Sequence, residues 1–195
     1  MPKAAGHVQI NAGIYKGATL FVPNAVVRPT PLMVRQALFN SLMPTLSEGP
    51  FLDLFCGSGA MGLEALSRGA PAAVLVESGR AELTALKKSL TKMGLLQNQA
   101  ITLLPMDVER AIKLLNGSGQ KFRHIFIDPP YELWIKAQNM SWPAALKDLL
   151  LPNGGIICQR AKNQPPFNLP QMVLYESRVY GSNALDFYKT LPEEL

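Results

Sequence analysis

From residue 50 onward the chain alternates short apolar runs with amphipathic helical patterns, and this alternation restricts the possible fold more than any other feature. "PFLDLFC" reads as a strand and "GAMGLEALSRG" as a helix stopped by Gly69. "AAVLVE", "AITLLP" and "FRHIFID" repeat the strand, with "RAELTALKKSLTKMG" and "DVERAIKLLNG" as the helices between them. Strands covered on both faces are nearly continuous apolar runs, and parallel neighbours need a long crossover, which these helices supply. After a variable loop, "WPAALKDLLLPNGG" predicts a further helix ended by a Gly-Gly break, and "IICQRA" a fifth strand. The tail differs: "MVLYESRVYG" and "ALDFYKT" alternate around "GSN", the pattern of an antiparallel hairpin. The expected architecture is α/β, a mostly parallel seven-stranded sheet closed by a C-terminal antiparallel hairpin.

Residues 1–48 form an extension of different texture, and residues 49–195 the main domain. "HVQINAGIYKGATLFVP" suggests two short strands. Thr30 and Pro31 then make an N-cap and first-turn pair for the helix "LMVRQALFNSLM", ended by Pro44. With 195 residues, one main core is expected. No window offers the roughly 18 uninterrupted apolar residues of a membrane span. The N-terminus lacks the apolar core of a secretory signal, and Cys56 and Cys158 are too far apart for a disulfide framework or a metal cluster. A reducing cytoplasm is the expected location. A net charge of +5 favours a polyanionic partner without specifying one. Lys87, Lys88 and Lys92 fall on a helix as a solvated outer face.

"DLFCGSGAMG", residues 53–62, satisfies G-x-G-x-x-G through Gly57, Gly59 and Gly62, with Glu77 following 20 residues after Gly57. The pattern suits NAD or another adenosine-bearing cofactor. Asp53 discriminates. A carboxylate about 5 Å from a pyrophosphate charge costs on the order of 3 kcal/mol at an effective dielectric of 20. S-adenosylmethionine has no phosphate, and its sulfonium and ammonium groups are cationic, so the same Asp53 favours it. Glu77, at a strand end, is placed to accept from both ribose hydroxyls. Asp107 either accepts from the adenine amine or caps the helix that follows it.

"IDPPY", residues 127–131, ends the fourth strand, and ligands of open parallel sheets bind beyond strand ends. The two prolines stiffen the turn. An exocyclic amine conjugated to a base or amide is a poor nucleophile because its lone pair is delocalised. A carboxylate and a fixed carbonyl that both accept from its N–H groups hold the nitrogen pyramidal and aim the lone pair at a methyl group. Asp128 supplies the first acceptor and Pro129 the second, while Tyr131 offers a ring for a planar base. A carboxylate of ordinary pKa suffices for orientation. Cys56 reads as a packing residue, and His7 and His124 lack metal-ligand spacing, so no metal is expected. Trp134 and Trp142 either form a lid over the base or pack in helices.

On these residues the chain resembles the S-adenosylmethionine-dependent methyltransferases of the (D/N)PP(Y/F) group. Within it, the chain is similar to the RsmD family of bacterial 16S rRNA guanine-N2 methyltransferases. "RPTPLMVRQALFNSL", "DLFCGSGAMGLEALSRGA", "FIDPPY" and "VYGSNALDFYK" carry the resemblance over nearly the full length. It implies a Rossmann-like class I methyltransferase fold and methyl transfer to N2 of a guanine in 16S rRNA of an assembling small subunit. The product is S-adenosylhomocysteine, and the enzyme is expected to be a monomer. It also implies cofactor contacts at Asp53, Phe55, Gly57, Ser58, Gly59, Glu77 and Asp107 and a catalytic corner of Asp128, Pro129, Pro130 and Tyr131. RNA contacts are implied at Lys16, Arg28, Thr30 and Arg35. Departures from the family pattern fall at Gln9 and Ala18, commonly arginines, at Pro31 and Gln36, often acidic, and at Gln159, usually glutamate. They leave the cofactor and catalytic motifs intact. Adenine in a nucleic acid or a protein glutamine are alternative targets of the same chemistry. A dinucleotide oxidoreductase leaves Asp53 and "DPPY" unexplained, and a pure RNA-binding module gives no reason for the glycine loop.

Overall fold

The computed structural model describes residues 6–23, 30–137 and 140–191. A two-stranded antiparallel sheet comes first, β1 (Gly6–Gln9) and β2 (Thr19–Val22), followed by α1 (Leu32–Leu42). Then come β3 (Phe51–Asp53), α2 (Ala60–Ser67), β4 (Ala73–Val76), α3 (Arg80–Lys92), β5 (Ile101–Leu104), α4 (Val108–Ser118) and β6 (Phe122–Ile127). After α5 (Tyr131–Ala137), the long strands β7 (Leu150–Ala161), β8 (Met172–Tyr180) and β9 (Asn183–Thr190) complete the chain. The main sheet has the order β5-β4-β3-β6-β7-β9-β8. Its first five strands are parallel, and β9 runs antiparallel to β7 and β8, as the tail pattern predicts. Strand order reverses between β3 and β6, so the crevice beyond their C-terminal ends is where a ligand of this topology binds.

Both faces of the parallel strands are buried. Leu52, Val74 and Ile125 pack with α4 and the aromatic group Trp134, Trp142 and Phe167 on one face. Phe51 and Phe126 meet α1, and Ala73 and Leu75 meet α2 and α3, on the other. The double coverage accounts for the apolar runs that made these strands legible. Gly69 (φ +111°), Gly94 (φ +70°) and Gly119 (φ +71°) follow α2, α3 and α4 in the left-handed conformation; for α4 the stop is Gly119 rather than Gly117.

Three local expectations are corrected. Thr30 is not the N-cap of α1: Pro31 holds that position with no side-chain cap bond. "WPAALKDLLLPNGG" is not a helix but two short 3-10 turns, Trp142–Ala145 and Lys147–Leu149, leading straight into β7. Its Pro-Asn-Gly-Gly does not break the strand. It forms a bulge against β6, with Asn153 left-handed (φ +59°) and Gly154 so close to backbone oxygens that a Cβ there would lie 2.9 Å from that of Leu151. The residues after Pro130 were read as a variable loop, yet they form α5, with the Pro130 carbonyl accepting from Leu133 and Trp134 N–H.

The β1-β2 hairpin is fastened to the main sheet's helices by buried polar groups. Glu64, within α2, accepts from Asn11 N–H (2.7 Å), Ala12 N–H (3.1 Å) and Arg68 Nε (2.7 Å). Gly13 (φ +82°) sits so close that a Cβ would lie 1.7 Å from the Ser67 carbonyl oxygen. Phe21 N–H donates to Ser89 Oγ of α3 (2.9 Å), and the exposed Lys88 and Lys92 lie over the Phe21 ring at 4.3 and 5.5 Å. Among the described residues no helix is long and apolar enough to cross a membrane.

Candidate active site

Because β3 to β6 are parallel, the residues that follow them lie along one edge of the sheet. The chain places a carboxylate at every one of these ends: Asp53, Glu77, Asp107 and Asp128. The loop between β3 and α2 crosses the same edge, with Gly57 (φ +50°) and Gly59 (φ +78°) in the left-handed region that favours glycine. Gly59 also lacks room for a side chain, since a Cβ would lie 2.6 Å from a Leu86 methyl.

Two acids fasten this loop. Glu77 accepts from Gly57 N–H with Oε2 (2.9 Å) and from Gly79 N–H with Oε1 (2.7 Å). Asp53 is fully buried and accepts from Gly62 N–H, in the first turn of α2, with Oδ2 (3.2 Å), while its Oδ1 has no partner. Burial is the main cause raising the Asp53 carboxyl to about 7, with Asp128 and Glu77 adding to it against the opposing Gly62 and Phe55 backbone bonds. A pyrophosphate in a dinucleotide fold uses such loop and helix N–H groups. Here Gly57 and Gly62 already spend theirs on carboxylates of the chain.

Asp107 is exposed and caps α4, accepting from Arg110 N–H (2.9 Å), so the capping reading holds; it also lines the larger cleft. That cleft, about 520 Å³, runs between apolar walls that include Phe55, Val76, Met106 and Leu133, with Glu77 on its rim. Phe55 is backed by Trp142 (ring centroids 6.2 Å apart). Trp134 and Trp142 are both buried and pack on Phe167 at 4.8 and 5.8 Å, so the packing reading holds over the lid. Past Phe55, a smaller cavity of about 90 Å³ is lined by Gly57, Ser58, Met61, Phe126, Thr30 and Asp128.

Asp128 is half-buried and lines the smaller cavity together with Thr30, whose nearby hydroxyl favours its ionised form. The expected ordinary pKa is corrected: burial pushes Asp128 up to about 7, against the opposing effect of that hydroxyl. Pro129 is buried and Pro130 exposed beside it. Tyr131 opens α5, but its side chain lies outside the described residues. Cys56 is buried and its thiol pushed up by burial, as suits a packing residue. His124 is held near 4 by burial and faces the Thr45 hydroxyl at 3.0 Å, far from this edge at the start of β6.

Of the residues expected on RNA, Thr30 and Arg35 line one surface cleft, with Lys16 not among its lining residues. Arg28 lies outside the described residues. Lys16 is exposed on the hairpin turn, whose neighbour Ile14 donates to the Ser67 carbonyl at the end of α2 farthest from the glycine loop. Arg35 is 4% exposed, not the surface cation expected, and its Nη2 donates to the Gln9 carbonyl (3.1 Å). Burial lowers its pKa. Thr30 alone reaches the acidic edge. Its partnership with Asp128 was missed because its neighbour Pro31 made a helix cap the simplest reading. Gln159 was noticed only as a departure; it is buried, its Oε1 without a partner.

A Rossmann-like sheet closed by an antiparallel hairpin, with an acidic strand-end edge and a glycine loop tied to carboxylates, is the class I methyltransferase fold. The chain belongs to the family described as conserved hypothetical protein 95, whose model matches residues 8–189. It is 31% identical over 189 residues to the ribosomal RNA small subunit methyltransferase D of Haemophilus influenzae, covering 96% of each chain. It is 30% identical to the putative rRNA methyltransferase YlbH of Bacillus subtilis, covering 93% of this chain and 98% of that one. Among solved structures, a putative methyltransferase from Escherichia coli superposes with a TM-score of 0.75 at 28% identity, over 96% of this chain and 100% of that one. An RNA methyltransferase from Salinibacter ruber in complex with S-adenosyl-L-homocysteine shares the fold at 15% identity (TM-score 0.62, 86% of this chain and 96% of that one).

Proposed function

We propose that this protein transfers a methyl group from S-adenosylmethionine to the exocyclic N2 amine of a guanine in 16S rRNA of the small ribosomal subunit. The observation that carries the proposal is that two cavities lie along one sheet edge with Phe55 lining both. The first has the size and the carboxylate for an adenosine, and the second ends at Asp128. Supporting it, the N–H groups that hold a pyrophosphate elsewhere are already paired with Glu77 and Asp53, so the residues fit a cofactor without phosphate and oppose NAD. The printed names of the relatives supply the rRNA and small-subunit part of the reading.

In this reading Glu77 holds the ribose hydroxyls with the lone pairs left over from Gly57 and Gly79, and Asp107 or its backbone faces the adenine. Phe55 and Met106 enclose the ring. When bound, S-adenosylmethionine supplies an electrophilic methyl group and leaves as S-adenosylhomocysteine. Asp128, which shares its cavity with Thr30, accepts from one N–H of the target amine and the Pro129 carbonyl from the other. The nitrogen lone pair is thereby freed from the ring and directed at the methyl group, and the amine proton departs after the N–C bond forms. No metal enters this scheme, and an open-sided cavity at Asp128 suits a base splayed out of its strand. Arg28 and Lys16 are assigned to phosphate contacts that position the RNA.

Calorimetry tests the cofactor half: micromolar binding of S-adenosylmethionine or S-adenosylhomocysteine with none comparable for NAD supports it, and the reverse overturns it. Transfer of labelled methyl groups to small-subunit particles, absent with Asp128→Ala, tests the other half.

A further inference from the structure

Gln159 lies within β7 inside the sheet, two residues before the strand's end, is 6% exposed, and keeps its Oε1 buried without a hydrogen-bond partner. A buried amide oxygen left unpaired costs roughly 1–3 kcal/mol, and a helix-packed strand has apolar side chains of the same shape available. The cost is retained at one particular place. In the parallel register of β6 and β7, Ile127 pairs with Cys158, so the next residues, Asp128 and Gln159, stand side by side at a strand spacing of about 4.8 Å. They also share a face. Phe126 and Ile157 belong to the cluster against α1, and side chains two residues on, Asp128 and Gln159, return to that face.

We infer that Gln159 is a further residue binding the guanine edge, its Oε1 accepting from the ring N1–H while Asp128 holds the adjoining N2 amine; this rests on the guanine-N2 reading above. The chemistry of the base edges selects it. In guanine the ring nitrogen beside the amine is a donor, so the edge needs two neighbouring acceptors. In adenine the ring nitrogen beside the amine is an acceptor, so the Gln159 amide would have to turn over and present its N–H2 in place of the unpaired oxygen. Asp128 shares the smaller cavity with Thr30 and, in the reading above, is committed to the target amine. The unpaired oxygen next to it supplies the second acceptor.

Gln159→Met, close in shape and without the acceptor, tests this on small-subunit particles from cells lacking the enzyme. Wild type should release N2-methylguanosine on digestion; any other methylated base overturns the guanine-N2 reading itself. Given that product, the variant should lose about 10- to 100-fold in kcat/KM for the particle. Its affinity for S-adenosylhomocysteine should be unchanged, and its thermal midpoint equal to or above wild type, because an unpaired oxygen has been removed. A variant with wild-type kcat/KM overturns the assignment. So does a loss of activity that tracks a lowered thermal midpoint, the signature of a merely structural amide.

Discussion

Glu77 performs two tasks with one carboxylate, tying the glycine loop to the turn after β4 and presenting its remaining lone pairs to the cleft. Glu77→Ala should therefore weaken S-adenosylhomocysteine binding by about ten- to a hundredfold, equivalent to roughly 1.5–3 kcal/mol for a charged acceptor, as measured by calorimetry. Unchanged affinity would remove Glu77 from the site. Asp128 sets a different signature. Its carboxyl, raised to about 7 by burial, is a charged and therefore stronger acceptor only when ionised. Single-turnover methylation should rise with pH through about 7 and level off above it, the apparent value belonging jointly to Asp128 and its neighbour Asp53. Asp128→Asn keeps one acceptor oxygen and should retain more activity than Asp128→Ala, which should lose about a hundredfold or more. The Asn variant should also lack the inflection near 7. Equal wild-type rates for both variants would reduce the "DPPY" corner to a turn.

The elements explain why most of the site could be anticipated. Asp53, Glu77 and Asp128 were legible because each follows an apolar run whose double burial makes it recognisable, and a strand end fixes which edge its successor occupies. What escaped depends on contacts between segments remote in sequence. Thr30 lines one cavity with Asp128 across 98 positions, and no local pattern distinguishes that from a cap. Arg35 reads as a surface cation until the hairpin is laid over it and Gln9 accepts its hydrogen bond. The 3-10 turns at Trp142 and Lys147 carry helical spacing, but the strand that starts at Leu150 truncates them. The hairpin's attachment is itself testable. Glu64 is fully buried with Arg68 and two hairpin N–H groups on it. Glu64→Ala should lower unfolding stability by about 3 kcal/mol or more in urea titrations, with faster amide exchange in β1 and β2. Wild-type stability would show the hairpin docked by other means.

For the whole molecule, burial of the acidic edge works against stability at neutral pH. Asp53 has a folded pKa near 7 against an ordinary value of 3.8, so the folded state binds its proton more tightly than the unfolded chain. Its contribution is full below about 4 and is lost as pH rises towards 7. His124, lowered to about 4 from 6.5, works in the other direction: its contribution is present above about 6.5 and is lost as pH falls through 4. The two partly cancel in a simple pH titration, so the comparison with a variant is the informative one. Asp53→Asn should gain stability relative to wild type as pH rises from about 4 to 7, with a plateau beyond, in chemical denaturation at a series of pH values. A difference independent of pH would mean that Asp53 is not held protonated.

The central claim, methylation of guanine N2 in 16S rRNA, is tested most directly by mass mapping of methylated nucleosides in 16S rRNA. The samples are rRNA from cells lacking this protein, before and after treatment of their small-subunit particles with the protein and S-adenosylmethionine. The account predicts that one N2-methylguanosine is absent beforehand and restored by treatment with the wild-type protein, and not by Asp128→Ala. Restoration of a methylated adenine, or no change in 16S rRNA at all, would contradict it.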